Sequence, residues 1–149
     1  KQMFAWLLQQ KVYLGLSENT EKDLTSSLEI AKQNLKFRDA GTIDAIALAS
    51  SNEVMLGFYN EGCARLPKMN QLLGEKQSKA GPHDYAMTAW INQNCENFEV
   101  ALSTYEKLFK ISPHYPAWVR YYYAYTLLAL DRYEQAKKFI LENEFIENE

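Results

Sequence analysis

The sequence predicts an all-α protein of four helical hairpins, and three observations carry that prediction. Only six glycines and four prolines occur in 149 residues. Apolar residues recur at three- and four-residue steps along the chain, and the alternation expected of strands is nowhere sustained. Turn-forming clusters at LGLSENT (14–20), RDAGT (38–42), LGFY (56–59), GEKQSKAGPHD (74–84), NCEN (94–97), ISPHYP (111–116) and ALDRY (129–133) cut the chain into about eight helices. Paired in order, these give hairpins at roughly 2–37, 42–77, 82–111 and 116–143, one domain over 1–149.

In the first hairpin, Leu24, Leu28, Ala31 and Leu35 mark the buried stripe of the second helix. In the second, Ser50 supplies a small residue where two helices can cross, and Gly57, Tyr59 and Gly62 form the turn and the start of the next helix. Pro67 then falls inside that helix, which should be kinked or interrupted. The third and fourth hairpins are related by a shift of 35 residues, which sets Ala89 on Ala124, Phe98 on Tyr133, Ala101 on Ala136 and Tyr105 on Ile140. Close packing of antiparallel helices needs small residues at the crossing, here Ala89 with Ala101 and Ala124 with Ala136. An aromatic at the start of each second helix, Phe98 or Tyr133, is expected to plug the open end.

On these residues, with Pro113 closing the third unit, the chain resembles the tetratricopeptide repeat family. The resemblance implies an α-solenoid, a right-handed superhelix whose concave face is a recognition surface. A narrower resemblance rests on SPHYPAW (112–118), LLALDRYEQA (127–136) and YLGLSENTEKDLTSSLEIAKQNL (13–35). These are similar to the repeat region behind the catalytic domain of bacterial class III adenylate or guanylate cyclases, and to the region after the winged-helix domain of some membrane-anchored transcription activators. The metal-binding aspartates and nucleotide residues of a cyclase domain have no counterpart here, so the activity implied belongs to a neighbouring domain.

The bulk composition excludes several classes. A net charge of −3, with Lys and Arg spread along the chain, offers no basic stripe for nucleic acid. No 18-residue apolar run spans a membrane, and no leader is recognisable. The opening at Lys1, with apolar spacing already under way, suggests a piece of a larger protein. Cys63 and Cys95 match no metal or redox spacing and read as free thiols, which favours a reducing compartment. The expected location is the cytoplasm, with the periplasm as the alternative if the region follows a membrane anchor.

A search for chemistry finds no catalytic constellation and no cofactor motif. His83 and His114 lack a second ligand at helical spacing, so no metal is expected. GFYNEGCA (57–64) has the glycines of a phosphate loop but Cys63 and Ala64 where Lys and a hydroxyl residue are needed, and reads as a turn. Neither cysteine has a base at a motif distance. Glu53, Glu61, Glu96, Glu99 and Glu106 read as carboxylates on faces that mostly meet water.

Six of the ten tyrosines lie between Tyr115 and Tyr133, and the repeat register divides them. Tyr123 and Leu127 should face the partner helix, while Trp118, Tyr121, Tyr125 and Leu128 lie on the concave face. The same register puts His83, Trp90, Gln93 and Asn94 on that face one unit earlier, and Asp44, Val54 and Met55 one unit before that. Two readings of the aromatic residues stay open, groove packing and partner binding. The expected function is a non-catalytic protein-interaction module, a protein or peptide partner being held by Trp90, Trp118, Tyr121 and Tyr125 with Gln93 and Asn94 as hydrogen-bonding groups. The rival is a small-molecule sensor closing its aromatic face around a compact ligand. At the C-terminus, Glu134, Gln135, Lys137 and Lys138 form a polar cap, and Phe139, Phe145 and Ile146 seal the last layer or join a second copy as a homodimer.

Overall fold

A computed structural model describes residues 2–37, 43–75, 80–112, 115 and 117–143. Among them every regular element is helical: α1 (Gln2–Tyr13), α2 (Thr20–Phe37), α3 (Ile43–Met55), α4 (Tyr59–Cys63), α5 (Leu66–Gly74), α6 (Pro82–Asn94), α7 (Phe98–Ile111), α8 (Ala117–Ala129) and α9 (Tyr133–Asn143). The count is nine, one above the expected eight. The second hairpin's return helix is broken into α4 and α5, because Pro67 cannot continue a helix but is well placed in the first turn of a new one. The 38–42 and 111–116 turns, along with Phe145 and Ile146, lie wholly or partly outside the described residues.

Consecutive helices pack on one another: α1 on α2, α3 on α4 and α5, α6 on α7, and α8 on α9. Each pair then meets the next through α2 with α3, α5 with α6 and α7 with α8, while α3 touches α1 and α6, and α6 touches α8. Helix α3 is central. Ile43 and the run 45–54 are all buried, the pattern of a helix surrounded by protein.

The turns inside the four pairs share one geometry. At Gly15, Gly57, Glu96 and Asp131 the backbone is left-handed, with φ of 67°, 83°, 61° and 58°. In each, that residue's N–H reaches the carbonyl three residues back and the next N–H reaches five back, as in Glu96 to Gln93 (3.0 Å) and Asn97 to Asn92 (2.9 Å). This 6→1, 5→2 pairing satisfies the last carbonyls of the helix. Glycine adopts it at no steric cost, whereas Glu96 and Asp131 hold it against their Cβ atoms.

The expected crossing of Ala89 with Ala101 is present, whereas Ala136 packs on leucines. Ala89 and Ala101 are fully buried together with Tyr105, and Ala136 is buried against Leu102 and Leu127. Ser50 and Gly62 form a close crossing: the Ser50 hydroxyl donates to the Gly62 carbonyl at 2.7 Å. A Cβ on Gly62 would lie 2.9 Å from the Ser50 carbonyl oxygen and 2.8 Å from Val54 Cγ2. Val54 therefore faces α4, not the concave side on which the register put it.

Three further expectations are corrected. Cys63 and Cys95 are not free thiols but form a disulfide, with Cα atoms 5.8 Å apart, tying α4 to the end of α6. Glu53 does not meet water. It is 1% exposed and bonded by Arg65 at 2.8 and 3.0 Å and by Lys32 at 3.1 Å. Burial pushes its carboxyl up, but the Arg65 and Lys32 hydrogen bonds outweigh that and hold it below its ordinary value. Tyr133 plugs nothing: its ring is exposed and its hydroxyl donates to Asp131 at 2.7 Å. The last layer is sealed instead by Phe139, which meets Tyr123 at 4.6 Å and stacks on Phe109.

Candidate functional site

A concavity of about 630 Å³ lies between α1, α6 and α8. Gln10 and Leu14 line it from the α1 side, Pro82, His83, Met87 and Trp90 from α6, and Tyr115, Trp118 and Tyr122 from the α8 side, with Ala86 and Leu108 completing the wall. Helical spacing brings these together. Residues 83, 86, 87 and 90 share one face of α6, as 118 and 122 share one face of α8. Proline at the first turn and Asp84, whose carboxylate accepts the Gly81 N–H at 2.8 Å, fix where α6 starts and so where His83 points.

The rings are arranged edge to face: Trp90 with Tyr122 at 6.4 Å, Trp118 with Tyr122 at 6.1 Å and, beside the cavity, Trp6 with His83 at 4.8 Å. These pairs hold the wall rigid through ring edges meeting ring faces. Among the described residues no Lys, Arg, Asp or Glu lines the space. Burial lowers the His83 pKa, partly offset by Asp44, so the imidazole is uncharged at neutral pH. Trp90 is 6% exposed, and its Nε1–H, closed off from solvent, has no hydrogen-bond partner.

At the edge of this region, Asp84 carries a pKa pushed up to about 6, by burial first and by the neighbouring Asp44 carboxyl, against the lowering effect of the Gly81 N–H. Two carboxyls so close share a proton more readily than both ionise. Among the described residues no group of three or more His, Cys, Asp or Glu is placed to hold a metal ion.

The six residues expected on the recognition face are scattered over different environments. Trp90 and Trp118 line the cavity. Tyr121 and Tyr125 stand outside it on α8, 67% and 48% exposed, with Leu128 one turn further on. Gln93 is buried and its Oε1 accepts the Thr126 hydroxyl at 2.9 Å, so it stitches α6 to α8. Asn94 turns its amide back onto the Trp90 carbonyl at 2.8 Å and lines a smaller hollow, about 410 Å³, beside the disulfide. Tyr123 and Leu127 do face α9, as the register requires.

The cavity residues Gln10, Leu14, Met87, Tyr115 and Tyr122 were not singled out from the sequence. Their signal was present but weak: Trp118 and Tyr122 are an i, i+4 pair on α8, and Leu14 follows Gln10 at the same spacing just past the end of α1. The disulfide was findable too. Its 32-residue separation is close to the 35-residue period, so both cysteines sit at the same end of neighbouring pairs. No family model matches the chain, and neither a curated protein nor a solved structure matches it.

Proposed function

We propose that the chain is a non-catalytic recognition module, an α-solenoid of four tetratricopeptide-like hairpins that holds a protein segment along α8. The repeated left-handed turn at Gly15, Gly57, Glu96 and Asp131 supports the repeat reading. The observation that carries the binding reading is the stripe of Tyr121, Tyr125 and Leu128, apolar groups left in water at i, i+4 and i+7 on one helix. Tyrosines displayed in this way give large contact area at low entropy cost. The sequence resemblance supports a place in a bacterial signalling protein, a nucleotide cyclase or a transcription activator. The disulfide supports an oxidising compartment, which the periplasmic alternative supplies.

The test is capture of partners from lysate by the wild type and by Tyr121→Ser/Tyr125→Ser, followed by titration with the purified partner. The variant should fold, since both side chains are exposed, and should bind at least tenfold more weakly, a loss of about 1.4 kcal/mol. Equal affinity removes the stripe from the recognition surface. A second reading, a small-molecule sensor, is favoured by a different observation, a cavity of ligand size walled by Trp90, Trp118 and Tyr122.

A further inference from the structure

We infer that the protein segment held along α8 is helix α1 of a second copy, the two copies joined head to tail as consecutive helix pairs are joined within one chain. The inference rests on the recognition reading and names the segment.

Counting back from the left-handed turn residue of each pair puts the four first helices in one register. Ten residues back stand Ala5, Ala47, Ala86 and Tyr121. Six back stand Gln9, Ser51, Trp90 and Tyr125, and three back Val12, Val54, Gln93 and Leu128. In the first three pairs these positions are buried or, at Val12, half-buried, whereas in the fourth all three are exposed. The first helix of the next pair lies along this face. Gln9 donates to Ser51 of α3 at 2.7 Å, α6 packs on α3, Trp90 meets Tyr122 of α8 edge to face, and Gln93 accepts the Thr126 hydroxyl. Tyr121, Tyr125 and Leu128 therefore form the face on which a further first helix would lie.

Helix α1 carries the matching half. Twelve and eight residues back from the turns stand Met3 and Leu7 in α1, Ala45 and Ala49 in α3, and Val119 and Tyr123 in α8. In α3 and α8 these positions meet the second helix of the preceding pair. Ala49 clusters with Leu28 and Ala31 of α2, Val119 with Leu108 of α7, and the Tyr123 ring stands 6.2 Å from that of Tyr105. Asp84 and Thr88, at the same places in α6, are half-buried and buried. In α1, Met3 and Leu7 are 76% and 60% exposed, with Phe4 beside them also in water. The second helix that would receive them is α9, where Ile140 takes the place of Tyr105 and is exposed together with Leu141.

One molecule thus displays both faces of a joint that it makes internally, apolar on each side, and a second copy supplies the missing partner of either. Helix pairs that bury their faces only against neighbours leave such faces at the ends of an array. The contact is heterologous, since α1 of one copy meets α8 and α9 of the next, and it can extend beyond two copies.

The measurement is sedimentation velocity of the whole chain over a concentration series, for the wild type, for Leu7→Glu at the α1 end and for Tyr125→Glu at the α8 end, with folding checked by circular dichroism. The average mass of the wild type should grow with concentration and pass beyond a dimer. Each variant loses one end and should associate at least tenfold more weakly. An equimolar mixture of the two should form a dimer and nothing larger. The sound α8 end of Leu7→Glu takes the sound α1 of Tyr125→Glu, and the ends left over are the altered ones. Both substitutions fall on exposed side chains; should either unfold the chain, Phe4→Gln or Tyr121→Ser replaces it.

A wild type that stays monomeric at every concentration overturns the second copy as occupant and leaves the recognition reading standing. A wild type that stops at a dimer, with a mixture no better than the separate variants, assigns a twofold contact and overturns the head-to-tail order. Association lost in Leu7→Glu but unchanged in Tyr125→Glu takes the contact off α8 and overturns the inference. The recognition reading falls separately, if Tyr121→Ser/Tyr125→Ser binds its captured partner as the wild type does.

Discussion

Helices α3 and α8 each open a helix pair, yet one is held by polar groups and the other by rings. In α3, Ser50, Ser51, Asn52 and Glu53 are consecutive, fully buried and bonded: Ser50 to Gly62, Ser51 to Gln9 of α1, Asn52 to Ser27 of α2, and Glu53 to Arg65 and Lys32. In α8 the buried polar group is Thr126, and the neighbours are held by Tyr122, Tyr123, Val119 and Leu127. The difference follows from position. A helix surrounded on every side must bury its polar residues, and each then needs a partner. A helix with one open side can send Tyr121 and Tyr125 to solvent and pack with the remainder. The two pairs therefore fail differently: α3 through unpaired groups, α8 through lost ring contacts.

The largest expected effect separates the clamped part of the chain from the unclamped part. Replacing both cysteines, Cys63→Ser with Cys95→Ser, frees a loop of 32 residues and should cost about 3–4 kcal/mol of unfolding free energy in urea. A loss confined to a first transition, with α8 and α9 melting as before, would show that the two regions unfold separately.

Next in size is Glu53→Leu, which leaves Arg65 and Lys32 without their anion. About 3 kcal/mol should be lost, at the low end for a broken buried pair because both cations reach solvent. The pH dependence has a definite sign. The Glu53 pKa is lowered by folding, so its contribution is full above its ordinary 4.5 and fades as pH falls through the lower folded value. The variant's acid limb should flatten accordingly.

The turns provide a gain. Glu96→Gly relieves a left-handed residue and should add about 0.5–1 kcal/mol, whereas the same change at Asp131, a residue type that tolerates this region better, should add less and also frees the Tyr133 hydroxyl. An equal gain at both turns would mean the side-chain type does not matter there.

The smallest effect is one of sign. Folding raises the Asp84 pKa from 3.8 to about 6, so this group favours the folded state at acid pH and that advantage is lost as pH rises through the interval. Asp44→Asn should therefore raise the melting temperature near neutral pH and leave it unchanged below the ordinary carboxylate range. A uniform shift at both would assign the effect to packing.

Much of the helical layout was legible in the sequence, because helix boundaries and small-residue crossings are local signals. Ala89, Ala101 and Ala136 lie where the 35-residue shift placed them, and Pro67 interrupts its helix. The side-chain partners were less legible. Glu53 looks like any surface carboxylate until Lys32 of α2 and Arg65, at the turn between α4 and α5, close on it. Tyr133 looks like a plug because it aligns with Phe98, but it stands in the last pair, where no following helix among those described covers it. The cavity draws on four helices whose sequence separation exceeds any motif.

The disulfide also has a mechanical consequence. A chain pulled from its ends transmits force through the Cys63–Cys95 bond, so the segment between those residues is shielded while the bond stays intact. Roughly 110 Å of contour, at about 3.4 Å per residue, is withheld from extension. The withheld stretch includes α5 and all of α6 with Trp90, so the cavity's α6 wall would be among the last parts of the protein to be drawn out straight.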